Sequence, residues 1–88
     1  MTFLVEAVVT LKPVVNDPQG IAVRNGLHQL GFIGVQDVRV GKHIEIFLDA
    51  IDEATAREKA TQMCEQLLRN PVIEDYRITV TAMAAAGA

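Results

Sequence analysis

Apolar and polar positions alternate along residues 3–12. Phe3, Val5, Ala7, Val9 and Leu11 share one side of an extended chain, which predicts a strand with one buried face. The other side is only half polar, with Leu4 and Val8 between Thr2, Glu6, Thr10 and Lys12. Lys12-Pro13 ends the strand, because proline has no donor for the ladder. The period then changes. From Pro18 to Leu30, Ala22, Val23, Leu27 and Leu30 form one helical stripe opposite Arg24, Asn25, His28 and Gln29, with Ile21 among the polar residues. Gly31 is a suitable left-handed stop. Residues 35–50 read as a hairpin, Val35 to Val40 and His43 to Ala50, turning at Gly41-Lys42 on a positive φ at Gly41. In its second arm Ile44, Ile46 and Leu48 alternate with His43, Glu45, Phe47 and Asp49.

A second helix is predicted from Glu53 to Arg69, capped by Asp52. Its stripe is Ala56, Ala60, Met63, Cys64, Leu67 and Leu68, and Asn70-Pro71 breaks it. The last strand spans Val72 to Thr81, with Tyr76, Ile78 and Val80 on one side and Ile73, Asp75, Arg77 and Thr79 on the other. Met83 to Ala88 has no pattern and reads as a frayed tail. The order βαββαβ predicts an α+β, two-layer, ferredoxin-like fold over residues 1–82, an antiparallel sheet with both helices on one face. The open face would then show Leu4, Val8 and Phe47. Such a face is usually more polar, so these three are candidates for an oligomer interface.

Composition strengthens that expectation. A chain of 88 residues buries only about 60–65% of its unfolded surface, yet mean hydropathy is +0.24. A second copy would supply the missing burial surface. The net charge of −3 argues against a nucleic-acid footprint. Cys64 is the single cysteine, which excludes an internal disulfide and a paired-cysteine metal or redox site and fits a reducing cytoplasm. Residues 1–12 alternate and contain Glu6 and Lys12, unlike a signal peptide, and no apolar run approaches the roughly 18 residues of a membrane span.

Candidate chemistry is sparse. There is no serine, and Cys64 lies in an apolar stripe, where it reads as a small core residue. His28 and His43 are the only histidines. They read as surface residues, without further ligands at metal-binding spacing. Gly41-Lys42 lacks the upstream glycine of a phosphate loop and sits in a hairpin. Arg39 and Lys42 beside it either decorate a turn or present positive charge to an acidic partner. Glu74-Asp75 either blunts a strand edge or contacts a partner. Asp17-Pro18-Gln19-Gly20 opens the first helix. Asp17 and Pro18 suit a cap and first turn, whereas Gly20 costs up to about 1 kcal/mol against Ala there. A close-packed backbone or a partner surface is the expected reason.

Taken together, Asp17-Pro18-Gln19-Gly20, Leu30-Gly31-Phe32, Val38-Arg39-Val40-Gly41-Lys42 and Asn70-Pro71-Val72-Ile73-Glu74-Asp75-Tyr76 resemble the PurS family, the small subunit of phosphoribosylformylglycinamidine synthase. The resemblance covers residues 3 to about 81, with the motifs in order. It implies an accessory subunit of an ATP-dependent glutamine amidotransferase complex in de novo purine synthesis, dimeric or tetrameric and without catalytic, cofactor or metal residues of its own. The complex would use ATP, Mg2+ and glutamine. The chain would dock a glutaminase subunit to a large amination subunit and support ammonia transfer. On that reading Asp17, Gln19, Gly20, Ile21, Arg39, Lys42, Glu74 and Tyr76 are candidate partner contacts. No nucleic acid or membrane partner is implied, and strands in this family can be exchanged between protomers. The competing reading is a regulatory small-ligand domain of the same topology, with Gly31-Phe32-Ile33-Gly34 giving close backbone approach. An acylphosphatase-like hydrolase fits less well, because residues 12–20 contain no arginine for an anion loop.

Overall fold

The structure, a computed structural model, describes residues 1–83; the rest of the tail expected to fray, 84–88, lies outside the described residues. Five main elements follow one another: β1 (Thr2–Leu11), α1 (Pro18–Gln29), β2 (Gly41–Asp49), α2 (Glu53–Met63) and β3 (Glu74–Ala82), with one π-helical turn, Cys64–Leu68, after α2. The sheet is antiparallel with order β2-β1-β3. It is the α+β, ferredoxin-like arrangement of antiparallel sheet and two helices that the alternation predicts.

The alternation also assigns the faces correctly. Phe3, Val5, Ala7 and Val9 are buried, and the register places Leu48, Ile46 and Ile44 beside the first three on one flank and Val80 and Ile78 on the other. Ala56 and Ala60 of α2 are buried against this face, and Cys64, the next residue of the predicted stripe to be buried, opens the turn after it. Their small side chains let the helix lie close to the strands. Each fully buried Val or Phe contributes roughly 1.5–3 kcal/mol, so the core under α2 is the main source of stability.

Three features differ from the sequence reading. The first is the expected strand Val35–Val40, which is not a strand. Gly41 has no positive φ, so the chain runs directly into β2 and does not reverse. Two amides of the segment go to side chains, Val40 N–H to Asp17 and Val38 N–H to Asp37, and Val35 N–H donates to Phe32 O. Gly41 is needed for space. A Cβ there would stand 2.5 Å from the Val9 carbonyl oxygen.

The second difference is α1. Its apolar stripe predicts a place on the sheet beside α2, but only α2 packs there. The stripe is left open, with Val23 and Leu30 exposed together with Phe32 and Ile33 beyond the helix end. The radius of gyration is 16.8 Å, against about 12 Å for a compact chain of this length. The helix ends as the sequence predicts. Gly31 has φ 98°, Gly31 N–H donates to His28 O at 3.0 Å and Phe32 N–H to Leu27 O at 3.0 Å, a Schellman pair.

The third is the end of α2. Its last turn widens, and Arg69 N–H bonds back five residues to Cys64 O at 3.1 Å. The extra residue in the turn swings the neighbouring side chains around the helix axis. Leu67, expected in the stripe, is 82% exposed.

Candidate functional site

Motifs far apart in the chain meet at one end of the sheet, and Asp17 is the reason. Its carboxylate is buried beneath the start of α1. Oδ1 accepts the Gly20 N–H at 2.9 Å, which satisfies one of the free amides of the first helical turn. Oδ2 accepts the Val40 N–H at 2.8 Å. One side chain therefore caps the helix and fixes the strand entry. These bonds, Val40 first and Gly20 second, hold the Asp17 carboxyl below its ordinary range against the opposing effect of burial; the Arg39 charge adds to the lowering.

Gly20 is buried directly against this contact. A Cβ on it would overlap the Val38 carbonyl oxygen and stand 2.8 Å from Asp17 Oδ2. The helix start and the 36–40 segment touch backbone to backbone, and only glycine permits that approach. Arg39 ties in the turn after β1, donating to Lys12 O at 3.0 Å and Val15 O at 2.9 Å. At the far end of the segment His28 Nε2–H donates to Val35 O at 2.7 Å, the tautomer being set by the carbonyl acceptor. His28, read from sequence as a surface residue, is half-buried and structural.

The same junction gathers the third motif. Glu74 Oε1 accepts the Asn70 N–H at 2.7 Å, and its Oε2 faces Lys42 Nζ at 3.8 Å. Asp75 pairs with Lys12 at 2.8 Å. Tyr76 lies under the Arg69 guanidinium, 5.1 Å from its ring centre. A hydrogen bond to Glu65 leads the causes that raise the Tyr76 hydroxyl pKa.

Asp17, Gln19, Lys42 and Glu74 line one cavity of about 220 Å3 over Val9 and Leu11. Arg39 lines a neighbouring hollow of about 460 Å3 with Pro13, Asp37 and Asp75. Six of the eight candidate contact residues thus have internal duties: Asp17, Gly20, Arg39, Lys42, Glu74 and Tyr76. Gln19 and Ile21 are exposed beside them.

The opposite face of the sheet carries the other candidates. Leu4 pairs with Phe47 across β1 and β2, and Val8 pairs with His43. Phe47 is 64% exposed; Leu4 and Val8 are half-buried. Between these apolar steps the register sets Glu6 directly opposite Glu45. His43 Nε2 lies 3.0 Å from Glu6 Oε2. No spacing in the sequence signalled this convergence, because it depends on the β1–β2 register.

Fold and surface together define a small α+β association module, whose shared hollow and uncovered apolar face offer contact surface. The chain matches the PurS family of phosphoribosylformylglycinamidine (FGAM) synthase over residues 4–82. It is 55% identical to the phosphoribosylformylglycinamidine synthase subunit PurS of Synechocystis sp. over 78 residues, 89% of this chain and 78% of that protein. The crystal structure of Methanocaldococcus jannaschii PurS, one of the subunits of formylglycinamide ribonucleotide amidotransferase in the purine biosynthetic pathway, superposes with TM-score 0.83 at 34% identity, covering 93% of this chain and 99% of that one. A chain of the PurLQS structure from Thermotoga maritima gives TM-score 0.84 at 30% identity, covering 91% and 98%. This chain belongs to the PurS family.

Proposed function

We propose that this chain is the small, non-catalytic subunit of phosphoribosylformylglycinamidine synthase in de novo purine biosynthesis, docking a glutaminase subunit to an ATP-dependent amination subunit. The observation that carries the reading is the family match across residues 4–82, joined to the likeness to a chain of the PurLQS structure. ATP, Mg2+ and glutamine belong to the partner subunits on this reading, and the compartment is the cytoplasm. The free, buried Cys64 agrees with a reducing environment, and no helix of the described residues is long and apolar enough to cross a membrane.

The physical logic is one of sealing. Ammonia that escapes to water is protonated and lost as a nucleophile, so two active sites must be held together and the path between them closed. A rigid adaptor supplies binding surface to both. The exposed residues at the head of the sheet, Gln19, Ile21 and Lys42, are the proposed partner contacts, positioned by Asp17, Gly20, Arg39, Glu74 and Tyr76. The open face bearing Leu4, Val8 and Phe47, and the uncovered stripe of α1, are the proposed self-association surfaces, in a dimer or tetramer.

Reconstitution with the large and glutaminase subunits, glutamine and ADP-Mg, read by light scattering and by turnover, tests the reading. Lys42→Glu exchanges the loose ion pair of the exposed Lys42 with Glu74 for a like-charge contact, so it should lower co-elution and glutamine-dependent turnover while the free chain keeps its helicity. Omitting the chain should depress glutamine-dependent amination more than ammonia-dependent amination; equal loss of both would argue against docking and channelling. Phe47→Glu should shift the free chain toward smaller mass, and an unchanged mass would remove the open face from the self-association surface.

A further inference from the structure

We infer that Glu6, His43 and Glu45 form a binding site for a borderline-soft divalent cation, of the Zn2+ class, on the open face of the sheet. Their ligand atoms all lie within 4.8 Å of one another. The site is built from two strands: Glu6 and Glu45 are register partners, and His43 is two residues before Glu45, on the same face.

The electrostatics favour a cation. Like charges directly opposite on one sheet face repel, and here two carboxylates are held in that relation. His43 stands beside Glu6, and no ion pair among the described residues reaches Glu45. Lys42 extends from the other face and is engaged with Glu74. Arg77, the cation across β1 from His43, makes no ion pair among the described residues. A divalent ion shared by all three side chains cancels both carboxylates.

The geometry is compatible. Two ligand atoms bound tetrahedrally to one such ion at about 2.0–2.2 Å stand about 3.3–3.6 Å apart; His43 Nε2 to Glu6 Oε2 is 3.0 Å, so parting by about half an ångström or less admits the ion. Glu45 is exposed, so its carboxylate can close the remaining distance by a rotamer change on a fixed backbone. One imidazole and two carboxylates suit Zn2+ or Ni2+ better than Mg2+ or Ca2+, which prefer oxygen sets. Three protein ligands leave a further position for water or for a donor from another chain. The inference is separate from the docking of partner subunits, since it concerns this chain's own side chains, but the site shares the open face with the proposed self-association surface, where a second copy can supply the further donor.

Calorimetric titration of the full chain with Zn2+ and, separately, Mg2+ tests it, with circular dichroism checking that each variant is folded. The expected result is one saturable Zn2+ per chain, bound at least about tenfold more tightly than Mg2+. His43→Ala and Glu45→Gln should each weaken it at least about tenfold, and Glu58→Gln, on the exposed part of α2, should leave it unchanged. The inference is overturned by absence of saturable Zn2+ binding, by equal affinity in His43→Ala, or by an equal loss in Glu58→Gln. Reconstituted synthase activity is a separate readout, so failure of the metal site leaves the docking role standing.

Discussion

Adding one methyl group at each of two glycines of α1 should have opposite effects. Gly20→Ala places a Cβ against the Val38 carbonyl oxygen and 2.8 Å from Asp17 Oδ2. Neither neighbour can move freely. The carbonyl is backbone, and the carboxylate is held by Gly20 and Val40 N–H bonds. Overpacking of this kind costs roughly 1–3 kcal/mol. It is offset by at most about 1 kcal/mol of helix propensity, and by less in a first turn, so a net loss of about 1 kcal/mol or more is expected. Gly26→Ala meets nothing within 4 Å and should gain about 0.5–1 kcal/mol from propensity and a less disordered unfolded chain. The two variants then differ by roughly 2 kcal/mol, or about 10 °C in Tm for a domain of this size. Thermal and urea unfolding, run at two protein concentrations so that self-association is held in view, give both numbers. A Gly20→Ala protein as stable as the parent would refute the backbone contact between the start of α1 and the 36–40 segment. A destabilised Gly26→Ala would show that this face of α1 is closely covered in the assembled protein.

Asp17→Asn removes a charge whose folded pKa lies below its ordinary 3.8. A lowered carboxyl pKa gives stability that is present above the unfolded value and is lost as pH falls through the folded one. The parent should therefore exceed the variant at neutral pH, and the gap should close as pH falls from 3.8 through the lowered folded value. The Asp52 carboxyl, also lowered by its Thr55 bonds, is common to both proteins and cancels. Parallel stability curves from pH 7 to about pH 2 would count against the Asp17 bonds. Burial, the leading cause, raises the Cys64 thiol pKa, with Glu65 adding to it and Arg69 opposing, so a thiol reagent should label the folded chain slowly and the urea-unfolded chain fast. Rapid labelling of the native protein would contradict the packing of α2 on the sheet.

The particular elements show where local pattern suffices. Period-two alternation in residues 3–12, 43–50 and 74–81 marks which side chains face α2, because pleat geometry is a property of each strand alone. Asp17 and Gly31 were legible as the start and stop of α1 for the same reason: a cap bonds its own chain within a few residues. The fate of 35–40 was not legible. Its alternating Val38 and Val40 are compatible with a strand, and what excludes one is a carboxylate 23 residues earlier that takes the Val40 amide. The purpose of Gly20 was visible only as an anomaly and that of Gly41 was misread as a hairpin φ, since each accommodates a carbonyl supplied by another part of the chain. Helical spacing likewise placed Leu67 inside; one widened turn moved it out.

By itself, then, the order of residues determined the elements, the buried sides, the helix stops and, through four short motifs, the family. Tertiary structure alone decided which strands are neighbours, that α1 stands away from the sheet, and that Glu6, His43 and Glu45 converge. The physical reason is range. Side-chain direction and capping are set over one to five residues, whereas register and strand order are set by whichever long-range pairing buries Phe3, Val5 and Val9 under Ala56 and Ala60.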